Sequence, residues 1–339
     1  MSQESPLISV VIPAYNAERF ILPTLQSILR QTVQDFEIVV VNDGSTDGTL
    51  DVLESIGDSR LRVITRENGG ECVARNQGFR EARGKYVSFI DSDDVWLENH
   101  LEQAMAFLEN HPECAWFTSP FIRMEVIDAC DARPADLSHD TVTMTNWYLE
   151  GYELTLPSCV TIRRELLQDF PHLFQEGFKM FGDCLGWCKF AKKHPMVGIA
   201  GTPTVLYRYW QGNASTTYNV CHHGEHTEAV KMALAKHAEF YHQSDCPPEA
   251  MLYYRHFALH DWWSCISTAF MPMEWQDDFM QRRDLVGGGS TCWMRLWSKL
   301  ADTALHFMRW GVRRRKLAIL REMAKAADKV RTRYGNNLQ

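Results

Sequence analysis

Four short apolar runs, Ile8 to Ile12, Phe36 to Val41, Leu61 to Thr65 and Tyr86 to Ile90, recur in the first ninety residues with helix-length segments between them. Strands alternating with helices imply right-handed crossovers and a mostly parallel, Rossmann-like α/β sheet flanked by helices. Such a sheet binds ligands beyond the carboxyl ends of its strands. Polar residues stand at all four of those ends: Tyr15 and Asn16, Asn42 and Asp43, Arg66 to Asn68, and Asp91 to Asp94.

The fourth end is the most pointed. Tyr86-Val87-Ser88-Phe89-Ile90 runs directly into Asp91-Ser92-Asp93-Asp94, a strand that delivers three carboxylates to one loop. Magnesium and manganese take few protein carboxylates and complete their octahedra with water and substrate phosphate oxygens. Asp91 and Asp93 suffice if the substrate is a diphosphate. The same residues also read as an acidic turn whose side chains cap a helix starting near Trp96.

The other strand ends narrow the ligand. The first turn, Pro13-Ala14-Tyr15-Asn16-Ala17-Glu18, has no glycine, and no Gly-x-x-x-x-Gly-Lys-Ser/Thr loop occurs. Both the dinucleotide and the P-loop modes of phosphate binding are thereby disfavoured, and a metal must take up the charge. Ser45 to Asp47 read as helix caps, whereas Asp43 directly ends an apolar strand and could accept a hydrogen bond from a base or ribose. Gly69 and Gly70 open a helix whose first turns carry Arg75 and Asn76, placed to hold an anion or to buttress the acidic loop.

The 339 residues carry a formal net charge of -8, which argues against a general nucleic-acid binder. Ten scattered cysteines without a Cys-x-x-Cys pair read as reduced, mostly buried thiols, hence a cytoplasmic protein. The start lacks a basic segment followed by an apolar one, and no apolar run approaches the ~20 residues of a spanning helix. Any membrane contact is expected at the surface.

Ile12-Pro13-Ala14-Tyr15-Asn16, Val41-Asn42-Asp43-Gly44-Ser45-Thr46-Asp47, Asn68-Gly69-Gly70 with Ala74-Arg75-Asn76, and Gly84-Lys85-Tyr86 through Asp94 together resemble glycosyltransferase family 2 in order and spacing. The resemblance is close over about residues 6 to 125 and thinner to about 217. It implies a GT-A fold, inverting transfer from a nucleotide-diphosphate sugar, most often a UDP-sugar, and a divalent metal, manganese or magnesium. Carried over residue by residue, it places the nucleotide pocket on Pro13, Tyr15 and Asp43, with Asn68, Arg75, Asp91 and Ser92 beside them, and the metal on Asp91 and Asp93.

The half from about 126 to 217 is expected to face the acceptor, a glycan or a lipid-linked sugar. Trp147, Tyr148 and Tyr152 could stack on sugar rings, although buried core is the commoner fate of such residues. Inversion requires a base, and the family's acidic pair falls on Gly182-Asp183. Asp183 is the candidate, with Glu176 the fallback and a helix-capping Asp the bland alternative. Gly182 stands where the family usually has Glu. Tyr207-Arg208-Tyr209-Trp210 leading to Ser215 resembles a closing segment over the donor phosphates, with Arg208 and Ser215 as contacts. The His often found there is absent, and Trp210 is its neighbour.

Residues 218–339 read as a separate helical region without a family motif. His222 and His226 lie one helical turn apart beside Cys221 and His223, but no second ligand pair follows, so zinc is a minor alternative to a solvated helix start. From about 293 an amphipathic pattern carries twelve Lys or Arg against three Asp or Glu up to 333. This fits adsorption to an anionic inner membrane face, or packing on the catalytic domain or a second copy in a homo-oligomer. The expected activity is glycosyl transfer in polysaccharide or glycoconjugate synthesis. The alternatives are a non-catalytic nucleotide-sugar-binding subunit and, less in keeping with the loops, a sugar nucleotidyltransferase.

Overall fold

The protein was analysed as a computed structural model, which describes residues 5–124, 142–147, 155–178, 182–208 and 210, with isolated positions at 236, 239, 240, 245 and 247. All of them fall in the first of two compact units, Met1–Tyr254; the second is Arg255–Gln339. Ser215, the Cys221 to His226 cluster, Tyr148, Tyr152 and the basic segment from 293 lie outside the described residues.

The four expected strands are β1 (Ile8–Ala14), β2 (Phe36–Asn42), β3 (Leu61–Thr65) and β4 (Tyr86–Phe89). They pair in parallel in the order β3-β2-β1-β4, with Ile8 opposite both Phe36 and Tyr86. Every residue of β1, β2 and β4 is buried, as strands covered on both faces require. Between them run α1 (Ile21–Leu29), α2 (Thr49–Glu54) and α3 (Glu71–Glu81). Pro13 is tolerated because the β1–β4 ladder ends at Val11 and Phe89, so its missing N–H costs no bond on that side.

After β4 the chain forms a two-residue strand β5 (Val95–Trp96), then α4 (His100–Asn110), β6 (Trp116–Thr118) and β7 (Phe121–Met124). The helix expected near Trp96 therefore starts four residues later, and none of the Asp side chains caps it. Pro120 separates β6 from β7, and the two join different sheets. Further on lie β8 (Thr143–Asn146), β9 (Val160–Arg163), α5 (Arg164–Leu167), α6 (Gly182–Lys193), β10 (Met196–Ile199) and β11 (Val205–Arg208).

The main sheet has the order β3-β2-β1-β4-β9-β6-β10-β8, and β9 is antiparallel to both β4 and β6. A small second sheet, β5-β11-β7, lies beside the acidic loop. Trp147 is core: it is 1% exposed, its centroid is 5.7 Å from that of Trp116, and its Nε1 donates to Thr155 Oγ1 at 3.1 Å. Among the described residues Cys72, Cys114, Cys159 and Cys188 are buried free thiols and Cys184 is half-buried. No described helix is long and apolar enough to cross a membrane.

Candidate active site

The carboxyl ends of β1, β2, β3 and β4 meet in one place, and hydrogen bonds between their loops build it. Asn16, in a left-handed conformation with φ 49°, donates its backbone N–H to Ser45 Oγ at 3.0 Å and accepts at Oδ1 from Thr46 N–H at 2.8 Å. Gly48 N–H donates to Glu18 Oε2 at 3.0 Å, and Asp47 Oδ2 accepts from Glu18 N–H at 3.1 Å. Asp47 also caps α2 by accepting from Thr49 N–H, but Ser45 and Thr46 serve the neighbouring loop instead. Tyr15 is left 52% exposed over this floor, free to cover a planar ligand, while Pro13 is buried in β1.

Asp43 is 2% exposed and already well supplied with donors. Gly69 N–H lies 3.0 and 3.1 Å from its two oxygens, Gly70 N–H donates to Oδ2 at 2.7 Å, and Arg66 Nε lies 3.1 Å from Oδ1. The anion held at the start of α3 is thus the chain's own carboxylate. A base or ribose reaching Asp43 must add to these bonds or exchange for one. Two positions require glycine here: Gly70 caps α3 at φ 91°, and at Gly44, φ 75°, a Cβ would lie 2.8 Å from Asn68 N. Asn68 itself is exposed on the same loop.

The acidic residues after β4 separate into two kinds. Asp94 is fully buried and turned inward: Oδ2 accepts from Ser158 Oγ at 2.5 Å and Oδ1 from Arg208 N–H at 3.0 Å, tying the loop to β11. Burial, then the charges of Asp93 and Asp91, push its carboxyl well above the usual range. Asp91 and Asp93 are only half-buried and take partners from other elements. Asp91 donates its N–H to Ser158 Oγ at 3.0 Å, and its Oδ1 accepts from Arg75 Nη2 at 2.7 Å. Asp93 Oδ2 accepts from Trp210 Nε1 at 3.0 Å. Desolvation raises the Asp93 carboxyl; Trp210 works against this, Asp91 adds to it, and Arg208 opposes it. The carbonyls of Ser92 and Asp94 lie 3.0 and 2.7 Å from the Thr24 hydroxyl, which fixes the loop to α1.

Arg75 links this acidic pair to Phe174. Its side chain is 3% exposed, pairs with Asp91 at 2.7 Å and Glu71 at 3.4 Å, and lies 5.6 Å over the Phe174 ring. Nε and Nη1 have no partner among the described residues. Burial works against its charge, but Asp91 and then Glu71 outweigh it. The neighbouring Asn76 clamps the segment before α6: its Nδ2 donates to Phe174 O at 2.9 Å and Glu176 Oε1 at 3.0 Å, and its Oδ1 accepts from Phe174 N–H at 3.0 Å. Of this pair only Arg75 reaches the acidic loop, through Asp91; Asn76 holds Phe174 and Glu176 instead.

Asp183 lies half-buried in the first turn of α6. Burial raises its carboxyl, Arg75 opposes that, and Asp91 contributes to it, so Asp183 is within electrostatic reach of both. Glu176 differs: hydrogen bonds from Asn76 and then His172 hold its carboxyl below the usual range and occupy Oε1. Of the two base candidates, Asp183 is the one whose carboxyl is raised. Gly182 has a packing reason, since a Cβ there would lie 2.5 Å from Cys72 Sγ and 3.0 Å from Gln175 O. Arg208 is buried, with its guanidinium 5.0 Å over Phe20, and its charge is felt by Asp93.

A divalent cation fits this donor set in kind. Among the described residues Asp91 and Asp93 each engage one carboxylate oxygen, leaving two hard oxygens at the cleft beside a like-charge repulsion that a cation would relieve. No group of three or more His, Cys, Asp or Glu suited to a metal occurs among the described residues. Sequence reasoning missed Ser158 and Glu71; it placed Arg66 at a strand end and Trp210 near a missing His but gave neither a role.

Residues 9–170 match the family described as glycosyl transferase family 2. The putative teichuronic acid biosynthesis glycosyltransferase TuaG of Bacillus subtilis (strain 168) is 33% identical over 207 residues, 55% of this chain and 79% of that protein. Among solved structures, S. aureus TarS 1–349 in complex with UDP-GlcNAc aligns with a TM-score of 0.58 at 24% identity, over 74% of this chain and 71% of that one. The mannosyltransferase PcManGT from Pyrobaculum calidifontis, in complex with GDP-Man and Mn2+, aligns with a TM-score of 0.55 at 18% identity, over 96% and 88%. The architecture is therefore that of a GT-A glycosyltransferase, as the resemblance implied. The chain belongs to glycosyl transferase family 2.

Proposed function

We propose that this chain is a metal-dependent inverting glycosyltransferase that moves a sugar from a nucleotide-diphosphate sugar, first of all a UDP-sugar, to a hydroxyl of a glycan or lipid-linked acceptor in polysaccharide synthesis. The observation that carries this reading is the pair Asp91 and Asp93 at the end of β4, braced by Arg75 and Trp210. The UDP-GlcNAc bound by TarS, the GDP-Man and Mn2+ bound by PcManGT and the biosynthetic name of TuaG support it.

Asp91 and Asp93 would hold the cation, which when bound supplies positive charge against the leaving diphosphate. Tyr15 covers the base, and Pro13, Asn68 and Ser92 line the same cleft. Asp43 keeps Gly69 and Gly70 in place beneath the nucleotide. Arg208 and Ser215 contribute on the donor-phosphate side.

Asp183 takes the proton of the acceptor hydroxyl as its oxygen bonds to the anomeric carbon. The bond from that carbon to the diphosphate oxygen breaks on the opposite face, and the nucleotide diphosphate departs. A raised carboxyl is a better acceptor for that proton, and such base catalysis is worth ~10²- to 10⁴-fold.

The test is Asp183→Asn in the full chain. Nucleotide affinity should stay near wild type while sugar transfer falls by at least ~10²-fold. Equal loss of binding and turnover would make Asp183 a structural residue.

A further inference from the structure

Asp93 is the less tethered of the two cleft carboxylates. Asp91 is fixed through its backbone N–H to Ser158 and through Oδ1 to Arg75. The Asp93 carboxylate meets, among the described residues, a single side-chain donor, the indole Nε1 of Trp210 at 3.0 Å. Trp210 follows β11, far along the chain from β4, so local sequence cannot produce this contact. The indole ring rests on Phe20, with centroids 4.7 Å apart, and the Arg208 guanidinium lies 5.0 Å over that same Phe20 ring. Phe20 is 2% exposed and caps α1, so the platform under the indole belongs to the packed body of the fold.

An indole N–H only donates and cannot ligate a cation. It can, however, occupy one carboxylate oxygen and thereby present the other. We infer that Trp210 is a positioning residue: it holds Asp93 Oδ2, leaves Oδ1 facing the cleft, and is itself held by Phe20. The inference rests on the proposed role of Asp91 and Asp93 as the cation-holding pair. Partners of this kind typically account for 10- to 100-fold in metal affinity.

The experiment measures Mn2+ binding to the full chain in the presence of UDP, with free Mn2+ counted by electron paramagnetic resonance. Trp210→Phe keeps an aromatic ring for Phe20 and removes the N–H. Its Mn2+ Kd should weaken by about 10- to 100-fold, while its UDP affinity in EDTA and its urea midpoint stay at wild-type values. Phe20→Leu keeps the donor but removes its platform and should give a smaller loss of the same kind. A Trp210→Phe protein that binds Mn2+ like wild type overturns the inference. So does one that loses UDP affinity in EDTA and urea resistance together, because Trp210 is then a packing residue. A wild-type chain that binds no Mn2+ overturns the cation reading underneath, which keeps the two failures distinct.

Discussion

Removing the Asn76 side chain should loosen the acceptor half of the site while leaving the nucleotide half alone. Asn76 is fully buried and satisfies both the N–H and the carbonyl of Phe174, itself fully buried. Asn76→Ala leaves those two backbone groups without partners, at ~1–3 kcal/mol each. The third bond, to the half-exposed Glu176, adds little. The expected loss is therefore about 2–6 kcal/mol, and water entering the gap favours the lower half of that range. With an m-value of about 2–3 kcal/mol/M in urea, the midpoint should fall by roughly 1 M or more. Circular dichroism during urea titration reads this directly. At temperatures where the variant stays folded, UDP affinity should persist, because Asp43, Asp91 and Gly69 do not touch Asn76, whereas turnover should drop, because residues 174–178 lead towards Asp183. A midpoint within about 0.3 M of wild type would refute the clamp, and a loss of UDP affinity matching the loss of turnover would refute the division of the site into two halves.

Other consequences follow from single contacts. The raised Asp183 carboxyl predicts an acid limb in the pH profile of kcat/KM above the ordinary Asp value of ~3.9, with activity lost as pH falls through it; Glu176→Gln should leave that limb in place, and its disappearance in that variant would transfer the base role to Glu176. His100 is fully buried, hydrogen-bonds Thr204 through Nδ1 at 2.7 Å, and is held by burial at a pKa of about 3. The folded state therefore keeps His100 neutral while the unfolded chain protonates near 6.5, so stability should decline by about 1.4 kcal/mol per pH unit between pH 6 and 4 from this group, and His100→Gln should flatten the slope by that amount. An unchanged slope would contradict the assignment. Gly182→Ala should cost ~1–3 kcal/mol by driving a Cβ against Cys72 Sγ, and Cys72→Ala in the same chain should recover part of it; strictly additive losses in chemical denaturation would show that the two do not compete for space.

The parallel half of the fold was legible because its strands are continuous apolar runs ended by polar residues. Ile8 to Ile12 and Leu61 to Thr65 are found nearly as read. The mixed half was harder: β9 inserts antiparallel between β4 and β6, both far from it in the chain, and no periodicity announces such a long-range pairing. Pro120 could have signalled the break between β6 and β7. Within the site, composition and spacing placed Asp91, Asp93 and Asp43 at the ends of the right strands and Arg75 in the helix that follows β3. They could not tell that Asp94 turns inward to Ser158, or that the Asp43 carboxylate is held by Gly69, Gly70 and Arg66. Those directions are set by contacts between loops that only the folded sheet brings together. Trp210 illustrates the limit best, since its value lies in reaching Asp93 and not in its own motif.

Isothermal calorimetry of UDP titrated into the intact chain, once with Mn2+ and once with EDTA, bears most directly on the account. UDP affinity that is tighter with Mn2+ than with EDTA in the wild-type chain, and that loses this Mn2+ dependence in both Asp91→Asn and Asp93→Asn, is the predicted result. Equal UDP affinity under the two conditions, or wild-type behaviour in both variants, would mean that the carboxylates closing β4 do not join the nucleotide to a cation.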